Sequence, residues 1–241
     1  MRREKASFLQ AVPVRNEAVV SVVIRRIKEA MINKELRPGD YLPTETELTQ
    51  ILGVSKTSVR EAVKMLQAIG VLEVKRGSGM RIREHFNGDI LDPLIFRLIA
   101  ESEQIQDIYD FRKMFEPAHS IMAMQRASEE DIGAIESTID RLEKAIQEGR
   151  QTVEDDLAFH RAILQSTHNP LVARVGETIL EFFKPSIQQT ITHFPEEALR
   201  NHKRVFEAFR EKDEHKLKDA VIQSFDVWKS GLNMAQKGTE K

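Results

Sequence analysis

The chain of 241 residues contains no cysteine, which excludes a disulfide framework, thiolate catalysis and any zinc site built on sulfur. It also lacks a long hydrophobic run. No stretch approaches the roughly 18 uninterrupted apolar residues of a membrane span. Met1 to Arg15 lack the apolar core of a secretory signal, so a cytoplasmic protein is expected. Beyond about residue 89 there is no strand-like alternation long enough to build a sheet, and there is no repeat at a period of about 20–50 residues. What remains, 41% hydrophobic and 31% charged, is the composition of a well-packed soluble protein, long enough for one large domain or two modest ones.

The formal charge of −2 conceals a split. Residues 1–84 carry 16 Lys/Arg against 10 Asp/Glu, and residues 85–241 carry 20 against 28. The basic first third is attracted to phosphates and the acidic remainder is not.

That first third reads as three helices and a hairpin. From about Glu17 to Asn33, Val20, Val23, Ile24, Ile27 and Met31 recur at helical spacing, and Leu36-Arg37-Pro38-Gly39-Asp40 punctuates the chain. Thr44 with Glu47 forms a capping box that opens a short helix through Ile51, before the break at Gly53. Ser55 caps a third helix with Val59, Ala62, Val63, Leu66 and Ile69 inward. Val71-Leu72-Glu73-Val74 and Met80-Arg81-Ile82 flank Arg76-Gly77-Ser78-Gly79, whose glycines suit a tight turn. Helix, turn, helix and basic-tipped hairpin make a winged helix-turn-helix. Burying Val59, Val63 and Leu66 turns Lys56, Thr57, Arg60 and Lys64 outward, toward base edges and phosphates of a major groove. Arg76 with Gly77 is placed to approach a minor groove or a phosphate. A solvated basic helix on another three-helix domain is the bland alternative.

The run Leu36-Arg37-Pro38-Gly39-Asp40-Tyr41-Leu42-Pro43-Thr44-Glu45, followed by Leu52-Gly53-Val54-Ser55-Lys56-Thr57-Ser58-Val59-Arg60-Glu61-Ala62, closely resembles the GntR family of bacterial regulators. Leu66, Gly70 and Gly77-Ser78-Gly79 carry the match through the wing, over roughly residues 17–83. The resemblance implies a homodimer on a short palindromic operator and adds Arg37, Thr44, Thr46 and Ser58 to the DNA-facing set. Where the family often has Arg, this chain has Thr46 and Lys56. Lysine cannot form the rigid fork by which arginine grips guanine, so the operator is expected to differ from the commonest one of the family.

From about Asp89 only helices are expected, near 89–101, 104–127, 129–149, 153–168, 170–192, 195–212 and 213–236. Asn169 caps the helix that begins at Pro170. The fold class is thus mainly α: a winged helix-turn-helix over 1–83, a linker over 84–90 and an all-α bundle of six to seven helices over 91–241. Polar residues interrupt the apolar faces of that bundle. Asp156 and His160 are four apart, with Ile163 and Leu164 continuing their side. His202 leads a stripe with Val205, Phe206 and Phe209, and Arg112 interrupts Ile108, Phe115 and Met122, with His119 seven residues on. Charged groups are rarely buried without partners. A carboxylate with two imidazoles suits a divalent cation, and an arginine suits a ligand carboxylate. The alternatives are satisfied core or interface groups, an Arg112 pair with Glu116 one turn on, and packing alone for His119. His168 borders the Asn169-Pro170 turn, His85 falls in the linker and His215 reads as exposed.

Arg112-Lys113-Met114-Phe115-Glu116-Pro117, Asp156-Leu157-Ala158-Phe159-His160 with Asn169-Pro170, and His202 through Phe206-Glu207-Ala208 resemble the ligand-binding domain of the FadR subgroup, often termed FCD. That resemblance implies a metal (Zn, Ni or Mn) held by Asp156, His160 and His202, with a small carboxylate effector beside it touching Arg112, His119 and Ser224. The family places a third histidine where Ser224 stands, on a stripe with Leu217, Val221 and Trp228. Leu164-Gln165-Ser166-Thr167-His168-Asn169-Pro170 and that serine resemble members that answer to sugar acids. The expected function is a repressor released by such an acid. An activator, an architectural DNA binder with a structural bundle, and a metal-dependent hydrolase built on Asp156, His160 and His202 are the alternatives; the hydrolase lacks a recognisable nucleophile or general base.

Overall fold

Val22, Val23, Ile27 and Ala30 fall on one helical face, and burying them fixes α1 (Val19–Ile32) against the rest of the first unit. The structure, a computed structural model, describes residues 19–75, 79–84 and 105–239, with side chains described through Asp226 except Ile105 and Ile108. These residues belong to two compact units, one within Met1–Pro93 and one within Leu94–Lys241.

In the first unit α2 (Glu45–Leu52) begins at the Thr44 capping box and ends at Gly53, whose φ of 65° is the left-handed conformation that costs glycine little. Ser55 opens α3 (Lys56–Ala68) by accepting from the Ser58 backbone N–H, which satisfies a donor that has no partner inside the helix. β1 (Leu72–Lys75) and β2 (Gly79–Ile82) pair antiparallel, Leu72 opposite Ile82 and Lys75 opposite Gly79. The loop before α2 joins them: Gly39 N–H donates to Ile82, Ile82 N–H to Asp40, and Leu42 N–H to Met80. Val23, Ile27, Leu48, Val59, Val63, Leu72 and Ile82 make the core.

The second unit holds α4 (Ile105–Arg126), α5 (Glu129–Gln147), α6 (Val153–Gln165), α7 (Pro170–His193), α8 (Pro195–Glu211) and α9 (Glu214–Thr239). Capping boxes at Ser128/Asp131 and Thr152/Asp155 start α5 and α6, and Asn169 Oδ1 accepts from Leu171 and Val172 at the start of α7. These are the six helices expected from about residue 104 on, with ends shifted by no more than three residues. The helix expected over 89–101, the linker over 84–90 beyond Glu84, His85 and the side chain of Trp228 lie outside the described residues. Helix α9 packs on α8, α4 and α7, and α6 lies between α5 and α7. Phe159, Phe183, Phe209, Leu157 and Phe225 fill the core. At this core the helices bring α4, α6, α7, α8 and α9 around one polar pocket.

Candidate functional site

On the first unit, α3 buries Val59, Ala62, Val63 and Leu66 and presents Lys56, Thr57, Arg60 and Lys64 to solvent, as the periodicity requires. Ile69, expected on the same inward stripe, is exposed because the helix has ended at Ala68. Arg37 and Thr46 are exposed as well. Arg60 Nε lies 3.4 Å from Glu45 Oε2, tying α3 to the first residue of α2. Thr44 and Ser58 already have local work: Thr44 is the α2 cap, and the Ser58 hydroxyl lies 2.8 Å from that of Ser55. Arg76 and Gly77 lie outside the described residues. Sequence reading passed over Tyr41, which is exposed and bridged to Arg81 of β2, itself ion-paired with Glu73.

In the second unit, the cavity of about 630 Å³, its open mouth included, is lined by Arg112, His119, Asp156, His160, His202 and Ser224. Every candidate effector residue of the sequence therefore faces one space. Asp156 is 4% exposed and stands between two imidazoles, His160 Nε2 at 3.5 Å and His202 Nε2 at 3.4 Å. A set of ligand atoms, one from each of the three residues, lies within 4.8 Å of one another. The His202 ring stacks on Phe159, centroids 4.1 Å apart, and stands edge-on to His160. Its Nδ1 is buried without a hydrogen-bond partner.

Burial opposes every charge here. It would raise the Asp156 carboxyl, but His202 and the hydrogen bond from His160 outweigh it and hold the group below its ordinary value. Burial pushes His202 down to about 4 against the pull of Asp156. His119, 8% exposed, is likewise pushed to about 4 by burial, against the attraction of Glu116, and its Nδ1 has no hydrogen-bond partner. At neutral pH the cavity thus offers the ionised carboxylates of Asp156 and Glu116 and the neutral, buried imidazoles of His119 and His202; ionised carboxylates and neutral imidazoles are the forms that bind metals.

Arg112 Nε donates to Glu116, one turn on, and the guanidinium lies 4.8 Å from the centre of the Phe225 ring and 5.1 Å from that of Phe183. Glu116 stays below its ordinary pKa because Arg112 overcomes the burial that would raise it. The pairing weighed from sequence and the cavity placement are thus both found. Ser224 is half-buried, lines the cavity and donates its hydroxyl to the Val221 carbonyl. His168 sits outside this space, on the surface at φ 46°, with Nε2 2.8 Å from Asp131, and His215 is exposed. Sequence reading missed Phe159, Thr190 and Asn201, which also line the cavity. Asn201 adjoins His202 on the buried side of α8, and that adjacency was the available signal.

Comparison with known proteins agrees with both units. The model for bacterial regulatory proteins of the gntR family matches residues 20–82, and the FCD domain model matches residues 107–226. The LutR transcriptional regulator of Bacillus subtilis is 27% identical over 66% of this chain and 72% of its own length. The galactonate operon transcriptional repressor of Escherichia coli is 26% identical over 83% of this chain and 90% of its own. The Glc operon transcriptional activator of the same species is 23% identical, with 89% of each chain covered. Among solved structures, a Streptococcus agalactiae GntR protein superposes with a TM-score of 0.63 at 25% identity, covering 88% of this chain and 99% of its own. These relatives regulate transcription, and the hydrolase alternative falls with them. No described helix is long and apolar enough to cross a membrane. With a DNA-reading unit matched in front and an effector-domain model matched behind, the chain belongs to the GntR family of bacterial transcriptional regulators and carries an FCD domain.

Proposed function

We propose that the protein is a homodimeric repressor that leaves a palindromic operator when a small carboxylate, such as a sugar acid, enters the cavity of the helical unit. The observation that carries this reading is the clustering of Arg112, His119, Asp156 and His202, each buried, around one cavity in an otherwise apolar bundle. A purely structural core is built more cheaply from apolar side chains, so the architectural alternative leaves this cluster unexplained. Arg112 is the anion-binding group, held in place by Glu116 and the two phenyl rings.

The donor set fits a divalent cation, because a buried carboxylate flanked by two imidazoles, one with an orphan nitrogen, lacks the partners such groups ordinarily have. Asp156, His160 and His202 would hold Zn, Ni or Mn, which supplies Lewis acidity toward a carboxylate oxygen. Lys56, Thr57, Arg60 and Lys64 would read and grip the operator, with Arg37, Thr46 and the wing residues Arg76 and Gly77 beside them. An effector shifts the dimer by no more than its difference in affinity between the two states, and about 1–3 kcal/mol of coupling changes operator affinity about 5–150-fold. Activation in place of repression is the second reading, favoured by the Glc operon activator among the relatives.

Thermal melting against a panel of sugar acids, hydroxy acids and fatty acyl compounds, with and without chelator, tests the assignment. A ligand that binds only the folded state raises the melting temperature. One acid is expected to do so, and Arg112→Ala to abolish the effect. If no acid moves the melt of metal-replete protein, the effector reading is wrong.

A further inference from the structure

A helix offers a buried serine or threonine a partner close at hand, the backbone carbonyl three or four residues earlier. Thr190 and Ser224, which line the cavity, take it and donate to Ser186 and Val221. Ser120 does not. It follows His119 on α4 and lines the same cavity, yet its hydroxyl hydrogen-bonds no described residue. Asn201 on α8 is alike, since its carboxamide also lines the cavity and bonds no described residue. Both are more than nine-tenths buried, at 3% and 6% exposed. Polar groups so buried are ordinarily hydrogen-bonded. Neither belongs to the Asp156, His160 and His202 cluster or to the Arg112–Glu116 pair, so neither is accounted for by a cation or by a carboxylate held at Arg112. A carboxylate group also fills only part of a cavity of about 630 Å³.

We infer that Ser120 and Asn201 are the residues that choose among acids: they hydrogen-bond hydroxyl groups on the body of the effector and so exclude acids with a plain hydrocarbon chain. This rests on the effector reading above and adds to it the groups that set selectivity. A hydroxyl donates and accepts at once, and it therefore satisfies a carboxamide in either orientation as well as another hydroxyl. An alkyl chain in the same place strands the donors and acceptors of both residues, and each stranded group costs its full desolvation. A site built to hydrogen-bond a hydroxyl rejects the analogue that lacks it much more strongly than an apolar pocket rejects an added hydroxyl. Discrimination thus falls on acids that differ only in hydroxylation, which Arg112 alone could not tell apart.

The experiment melts the full-length, metal-replete protein with acids matched in carbon number and charge: D-gluconate and D-galactonate against hexanoate, and L-lactate against propionate. A hydroxylated member is expected to raise the melting temperature, and its plain counterpart at the same concentration to leave it unchanged. Asn201→Leu keeps much of the side-chain volume and removes the amide. It is expected to weaken the hydroxylated acid about tenfold or more and to let the plain acid raise the melt. Ser120→Ala deletes a single oxygen and is expected to weaken the hydroxylated acid about three- to tenfold. Without any acid, Asn201→Leu is expected to melt no lower than the unmodified protein, because an amide without a partner is removed. The inference is overturned if Asn201→Leu binds the hydroxylated acid within about twofold of the unmodified protein. Should that variant fail to fold, Ser120→Ala decides, and an unchanged affinity overturns the inference. If only plain acids raise the melt, fatty acyl compounds included, the selectivity is wrong and the effector reading stands. If no acid raises it, both fail.

Discussion

The imidazole of His202 lies flat on the ring of Phe159, centroids 4.1 Å apart and planes 18° from parallel. Phe159 is 2% exposed, so the stack fixes the histidine in a plane from which its Nε2 faces Asp156. Truncating Phe159→Ala would cost about 3–5 kcal/mol through lost packing. Phe159→Leu keeps more of the volume and removes the flat partner, a contact of about 0.5–1.5 kcal/mol. The leucine variant is expected to fold and to bind Co²⁺ more weakly in chelator competition. Unchanged affinity would mean that Asp156 and the helix alone aim His202.

Arg112 is buried and its partner Glu116 is nearly so, and removing one charge strands the other. Arg112→Met is expected to destabilise by about 3–5 kcal/mol in urea denaturation. Adding Glu116→Gln should restore most of that loss without restoring the melting response to acids. A double variant that still answers to the acid would remove Arg112 from the effector site.

On α3 the exposed cations are expected to divide by role. Lys64→Ala is expected to weaken all duplexes alike and to lower the salt slope of binding by about 1. Arg60→Ala, should Arg60 leave Glu45 for a base edge, is expected to cost about 1–3 kcal/mol and to relax sequence preference at one operator position. Lys56→Arg supplies the bidentate fork and should shift preference toward guanine. Fluorescence anisotropy on randomised duplexes across a salt series measures all three.

Much of this molecule was legible from residue order alone, and the reasons differ by feature. The caps at Thr44, Ser55 and Asn169 could be read because capping is local chemistry. Asp156 and His160 share a turn, so their common face followed from helical period. Their meeting with His202 from α8 is a tertiary fact that period cannot supply, and the resemblance to FCD domains supplied it. Phe159 looked like ordinary filling because nothing local marks which phenylalanine will lie against an imidazole. The pairing of Tyr41 with Arg81 joins segments forty residues apart and had no local signature either.

Gly176 on α7 lies so close to α6 that a Cβ there would stand 2.3 Å from Leu164 Cδ2 and 2.6 Å from Cδ1. Leu164 is 1% exposed and belongs to the core, so it must move within packed surroundings. Alanine gains up to about 1 kcal/mol of helix propensity, but overpacking typically costs about 1–3 kcal/mol. Gly176→Ala is therefore expected to lower stability, and Gly176→Ala with Leu164→Ala to lose less than the two single losses added. Strict additivity in urea denaturation would show that the helices shift apart freely.

Acid should destabilise the metal-free protein well before its carboxylates titrate. His119 and His202 have folded values of about 4, below the ordinary 6.5, because burial disfavours their charged forms. Between those values the unfolded chain takes up protons that the folded chain refuses. Their contribution is complete above 6.5 and is lost as pH falls toward 4, at about 1.4 kcal/mol per pH unit for each imidazole. Denaturation midpoints at pH 7 and pH 5 should differ accordingly, and His119→Gln should flatten the difference. Equal midpoints would mean that both rings are hydrated in solution.

The hairpin of the first unit is held at its base on both sides, since β2 pairs with β1 and also exchanges hydrogen bonds with the loop at Gly39, Asp40 and Leu42. The hairpin is thereby anchored by stretches of chain other than the Arg76-Gly77 segment proposed to approach the operator. The interval between Lys75 and Gly79 can lengthen, shorten or change charge in a descendant while the segments that set the hairpin's register stay as they are. If the wing contributes to operator preference as proposed, substitutions at Arg76 and Gly77 would alter that preference while leaving the hydrogen bonds that set the hairpin's register in place.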